Sequence, residues 1–221
     1  MKKLKIFLFI LTALIMVFAI TAGALAAKNK LWFQKEEAGT DDIFKNMTTK
    51  ALIESCLKHP LSLNIFAFNS YLQGLDAFNN HFSGSLELLQ RNDAAKELLF
   101  YYKDFDYGEI AKSNDPGFTM RVRFFNYYMS QESIISKLTA QEREDLLEVC
   151  KNHIMTINEN YADIFSTDSI IYLAACVLQA DDVAFKEKIF SDDNLKHEME
   201  QGRISSELSE LTLSKLGLNE L

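Results

Sequence analysis

Along most of the chain, apolar residues recur every three or four positions. The clearest case is the seam Leu146, Cys150, Ile154, Ile157, Tyr161 and Ile164. That spacing puts one apolar stripe on a helix with polar residues around the rest. Thr139-Ala140-Gln141-Glu142 stands just before it. This is a capping box, in which the threonine hydroxyl and the glutamate carboxylate each satisfy a backbone N–H that the first helical turn leaves without a partner. The reading predicts a helix from Thr139 onward.

Similar signals divide the rest. Thr40, with Asp41 and Asp42 behind it, predicts a helix through Leu57 that Pro60 ends. Leu72, Leu75, Phe78 and Phe82 fall at helical spacing, and Ser83-Gly84-Ser85 is expected to break the chain. Helical pattern resumes from Ser85 to Phe105 on a seam of Ala94, Leu98, Tyr101 or Tyr102, and Phe105, with Asn92 or Asp93 able to start a new helix. Residues 106–117 hold Gly108, Asn114, Asp115, Pro116 and Gly117 and read as a loop. Phe118 to Leu138 and Ile170 to Leu178 are apolar almost all round, which predicts buried helices. Asp181 or Asp182 and Ser191 begin two short helices, and a last one carries Ile204, Leu208 and Leu211 as far as Gly217.

No stretch alternates with period two, and no hairpin turn dipeptide occurs. The expected fold is all-α, an irregular multi-helix bundle of roughly eight to ten helices at ordinary helix lengths. No internal repeat points to a solenoid.

The first segment changes how everything after it is read. Lys2, Lys3 and Lys5 precede an unbroken apolar run, Ile6 to Ile20, and small residues close with Ala24-Leu25-Ala26. A positive start, a short apolar core and an A-x-A site form the layout of a secretory signal peptide. The alternative is an uncleaved N-terminal transmembrane anchor, because Ile6 to Ala27 approaches the roughly 20 residues that span a bilayer. The short apolar core and the small residues behind it favour cleavage. The expected organisation is a signal peptide (1–26), a polar leader (27–40) containing Trp32, read as a strap lying back on the domain, and one helical domain (41–221). Localisation is expected to be secreted or extracellular.

Removing 26 of 221 residues leaves 195, ample for one core. It also removes three lysines, taking the net charge from −8 to −11. Residues 131–221 carry 8 basic and 18 acidic groups, against 12 and 13 in residues 27–130. A C-terminal half that acidic repels phosphate backbones, so nucleic acid is excluded as a partner.

Candidate chemistry is sparse. Cys56-Leu57-Lys58-His59 and Cys150-Lys151-Asn152-His153 each place a thiol and an imidazole on one helix face, so that two such pairs meeting would offer a zinc site. A Cys56–Cys150 disulfide is the competing reading in an oxidising compartment, and core packing the simpler one. With Cys176 the cysteine count is odd, so at least one thiol is free or bridged between molecules. Asp104-x-Asp106-x-Gly108 with Asp115 resembles a calcium loop in outline, but the glycine falls at the wrong position. His197-Glu198 lacks the second histidine of a zinc-peptidase helix, and Asn46-Met47-Thr48 is a glycosylation sequon. Ten Phe or Tyr residues lie between Phe100 and Tyr128. They read as aromatic core, or as a contact platform with Arg121 and Arg123 supplying polar contacts.

No catalytic, cofactor-binding or metal-binding residue is assigned, and no cofactor is expected. The expectation is a non-enzymatic protein that acts at the cell surface or outside it by contacting another protein. The alternative is a secreted helical hydrolase using carboxylates of the acidic half.

Overall fold

The computed structural model describes residues 41–112 and 116–218. The segment read as signal peptide and leader, Trp32, Thr40 and Asp115 lie outside the described residues. The chain divides at Lys45 into two units. In the first, the described residues form a short helix, α1 (Asp41–Lys45). The second, Asn46–Leu221, holds the rest in chain order: α2 (Thr49–Lys58), a 3-10 helix (Pro60–Ala67), α3 (Tyr71–His81), α4 (Ser83–Gln90), α5 (Ala94–Lys103), α6 (Tyr107–Lys112), α7 (Pro116–Met129), α8 (Glu132–Ile135), α9 (Ala140–Asn160), α10 (Asp168–Asp181), α11 (Val183–Ser191), α12 (Asp193–Gln201) and α13 (Ser206–Lys215).

The class is all-α, with no strand among the described residues. Against the expected eight to ten helices, the described residues form thirteen α-helices and one 3-10 helix. The excess comes from side chains that cap where the apolar pattern runs on. Thr48 accepts from the Ala51 N–H at 3.2 Å and starts a new helix inside the expected Asp41–Leu57 element. Asp106 accepts from the N–H groups of Gly108 (2.8 Å) and Glu109 (3.0 Å), so the expected loop at 106–117 contains α6. The expected Phe118–Leu138 helix stops at Met129. There the Ser130 hydroxyl and the Gln131 amide donate to the carbonyls of Tyr127 (2.8 Å) and Tyr128 (2.9 Å), replacing the next helical N–H donors. Ser83-Gly84-Ser85 begins α4; the kink falls one residue earlier, at extended Phe82.

The capping box forms as expected. The Glu142 N–H donates to the Thr139 hydroxyl at 3.2 Å, and the Thr139 N–H to the Glu142 carboxylate at 2.8 Å. Behind it Leu146, Cys150, Ile154 and Ile157 are buried, whereas Ile164, past the end of α9, is half exposed. Thr139→Ala is expected to cost about 1 kcal/mol. The cost should appear as a lower urea midpoint with an unchanged slope; an unchanged midpoint would mean the box contributes nothing.

The core gathers round α10, buried from Ser169 through Ala175 and again at Val177 and Leu178. Helices α7, α8, α9, α11 and α13 pack against it. A 0%-exposed Asn126 on α7 donates to the Ser169 hydroxyl of α10 at 2.9 Å, fixing how the two cross. Helix α3 packs flat on the 3-10 helix because Gly74 has no side chain: a Cβ there would stand 2.6 Å from both the Ile65 Cα and its carbonyl oxygen.

Candidate binding cleft

The sequence candidates resolve mostly into structure. His59 uses Nδ1 to accept from the Leu61 N–H at 3.2 Å and stacks on Phe82 at 4.2 Å between centroids. Cys56 is buried, and its thiol is pushed up to about 12 by burial, with Tyr128 and Ser85 as hydrogen-bond partners. His153 instead meets the Tyr107 hydroxyl at 3.1 Å and lies edge-on to Tyr102 at 4.5 Å. Beside it the Cys150 thiol, raised by burial, faces the Tyr102 hydroxyl. The two Cys-x-x-His pairs thus sit in separate pockets. Among the described residues no group of three His, Cys, Asp or Glu side chains is placed to hold a metal ion. All three cysteines are unbridged.

The aromatic run is core. Tyr102, Tyr107, Phe124, Phe125, Tyr127 and Tyr128 are buried, and Phe100 alone of the ten is exposed, at 50%. The Arg123 guanidinium lies 5.0 Å from the Phe66 ring, a cation–π contact within the domain. Asp106, the centre of the calcium-like outline, spends its carboxylate on the α6 cap. Thr48 of the sequon caps α2. His197 is exposed on α12, while the Glu198 Oε2 beside it is buried without a partner.

The structure instead opens a cleft of about 840 Å³, within the roughly 300–1,000 Å³ of small-ligand sites. Its floor is one face of α10, where Tyr172, Cys176, Gln179 and Ala180 follow helical spacing. One wall is α3 with the 130–136 segment; the other is α11 and α12. The first wall is braced by polar side chains: Asn79 donates to Gln131 at 2.6 Å, and Ser85 donates to the other end of the Asn79 amide at 2.7 Å.

At one end the walls meet and are pinned. Ser70, the N-cap of α3, donates to the Gln201 carbonyl at 3.2 Å. Arg203 reaches the Asn69 carbonyl, and Tyr172 donates to the Met199 carbonyl at 2.8 Å. Gly202 ends α12 at φ 69°, a left-handed turn that glycine adopts without strain, and its bare Cα leaves room for Tyr71 and Leu72.

The chemistry of the lining is mixed. Apolar Leu72, Leu75, Ile135, Ile189, Phe190 and Met199 alternate with carboxylates of Asp76, Glu132 and Glu200 and ammonium groups of Lys186 and Lys196. Arg143 at the rim is already committed to Asp181 at 2.7 Å. The single thiol, Cys176, is pushed up to about 12 by burial and hydrogen-bonds Tyr172 and Ser130, so it is not a nucleophile at neutral pH.

The sequence marked none of these lining residues for binding: Leu72 and Leu75 read only as a helix face and Cys176 as the odd thiol. The one local signal was Ser130-Gln131-Glu132-Ser133, a polar island inside an otherwise apolar stretch. Comparison with known protein families, with characterised proteins and with solved structures finds no match.

Proposed function

We propose that this is an exported, non-enzymatic protein that works at the cell surface or outside it by binding another protein. The observation that carries the reading is the cleft. It joins an apolar floor to unspent charges of both signs, and its lining has neither a histidine nor a thiol poised for attack. Such a surface recognises; it lacks the base–nucleophile pair of covalent catalysis. Export is supported by the arrangement of residues 1–26. No helix among the described residues is long and apolar enough to cross a membrane.

The second reading, a secreted helical hydrolase, draws on Asp76, Glu132 and Glu200 lining the same cleft. Paired carboxylates perform general acid–base work when their environments differ. All three here are exposed, which favours binding over proton transfer.

Two measurements test the proposal. Intact mass of the protein from medium and membrane fractions should show an N-terminus at Ala27 in the medium, with three alkylated thiols after denaturation. An intact N-terminus confined to the membrane fraction would make it an anchored envelope protein instead. A panel of ester, peptide and glycoside substrates should give no turnover. Turnover abolished by Asp76→Asn or Glu200→Gln would establish the hydrolase.

A further inference from the structure

Apart from Glu200, the two walls of the cleft carry opposite charge, and the charges do not meet. Asp76 on α3 and Glu132 on α8 stand on one side; Lys186 on α11 and Lys196 on α12 stand on the other. The ion pairs among the described residues are all made by other side chains. Elsewhere on the same helices the protein does pair its charges. Lys188, two residues from Lys186, reaches Glu207 at 3.9 Å, and Asp182, the cap of α11, holds Lys215 at 2.6 Å. The four charges that line the cleft are left without such partners.

The same walls carry the apolar side chains of Leu75, Ile135 and Phe190, the last 52% exposed. A phenylalanine left that open inside a concavity is surface that an occupant would remove from water. The Ser133 and Ser136 hydroxyls and the Gln179 amide also line the cleft and make no hydrogen bond among the described residues. Together they offer donors and acceptors of the kind that satisfy a peptide backbone.

From this complementarity we propose that the cleft binds a polypeptide segment of a partner protein. The segment has an apolar side chain flanked on one side by a basic residue, facing Asp76 and Glu132, and on the other by an acidic residue, facing Lys186 and Lys196. This rests on the reading of the protein as a binding protein and names the chemistry of its partner. A nucleic acid does not fit, since half of the charged lining repels phosphate. A wholly apolar helix leaves four charges to be desolvated without compensation. Glu200, one turn beyond Lys196 and next to the pinned end, makes that end acidic, so the acidic residue of the segment lies toward the open end.

The test is selection of a random dodecapeptide phage library on the full-length protein, followed by anisotropy titration of the enriched peptides as labelled synthetics. The expected result is enrichment of sequences with an apolar residue between a basic and an acidic one. The double variant Lys186→Glu with Lys196→Glu should bind them about tenfold more weakly, the loss of two exposed pairs with repulsion added. Exchanging the acidic residue of the peptide for lysine should restore binding to that variant alone. All four charged side chains are exposed, so the variants keep the fold, which far-UV circular dichroism checks. Asp76→Lys with Glu132→Lys should weaken the same peptides and be rescued by the opposite exchange. Enriched peptides that ignore both double variants would overturn the cleft as the site while leaving a binding function intact. Displacement of the peptides by single free amino acids would overturn the polypeptide occupant. Failure to enrich any peptide, joined to cleft-dependent turnover of a substrate, would remove both this proposal and the binding reading.

Discussion

Gly74→Ala is expected to lower the stability of the protein by about 2 kcal/mol or more, although alanine is the better helix former by about 1 kcal/mol. The reason is local and steric. The added methyl would lie 2.6 Å from the Ile65 Cα and 2.6 Å from its carbonyl oxygen, both backbone atoms of the 3-10 helix. Rotation of a side chain cannot relieve that overlap, so one helix must lift from the other. Lifting exposes Ile65 and Leu75, now 0% and 1% exposed, and each carries roughly 2 kcal/mol of burial energy. A further consequence separates backbone from side-chain crowding: trimming Ile65 to alanine in the same chain should add its own cost without rescuing the first. Urea unfolding of the two single variants and the double variant checks this. A Gly74→Ala protein as stable as the parent would mean that α3 and the 3-10 helix do not approach so closely.

The second large effect is a dependence on acid. His153 is buried between Tyr107, Tyr102 and Phe105, and burial holds its imidazole down at about 4. The groups facing it are the Tyr107 hydroxyl on Nδ1 and the Tyr102 ring, with no carboxylate to stabilise a cation. The unfolded chain binds a proton at this position near pH 6.5, whereas the folded one resists until about pH 4. Between those values the unfolded state holds more protons, so stability is complete above pH 6.5 and falls as the pH drops toward 4. The expected loss over that window is about 3 kcal/mol. Lowered carboxylates such as Glu142 act in the same direction, but their contribution is lost only as the pH falls through the carboxylate range. His153→Gln should therefore show a shallower decline between pH 6.5 and 4 than the parent. Parallel declines would assign the acid sensitivity elsewhere.

Much of the helix pattern was legible because it is set by neighbours in sequence. The Thr139–Glu142 box, the α9 stripe and the all-round apolar α10 depend on residues three or four apart, and all three form. Gly202 ends its helix for the same local reason. What failed was the division of long apolar stretches. Ser130 and Gln131 stop α7 by giving side-chain donors to its last carbonyls, and periodicity counts only whether a residue is apolar. Asp106 rescued a helix from a segment rich in turn residues in the same way. The Cys-x-x-His repeat misled because a spacing of three fixes a helix face but not where that face points. The cleft was not legible at all: Asp76 and Lys196 are 120 positions apart, and only the packing of α12 against α3 and α11 brings them to one cleft.

The place of α10 along the chain also governs when the protein can fold. Five helices need it as their common partner, and three of them, α7, α8 and α9, precede it. About three-quarters of the polypeptide has been synthesised before Asp168 is added. Until then Asn126 lacks its Ser169 partner and Tyr127 lacks the Tyr172 ring, although Phe124 and Phe125 already have Phe78 and Tyr102 to pack against. Completion of the domain waits for the final quarter of translation, so the helices made first meet their common partner late.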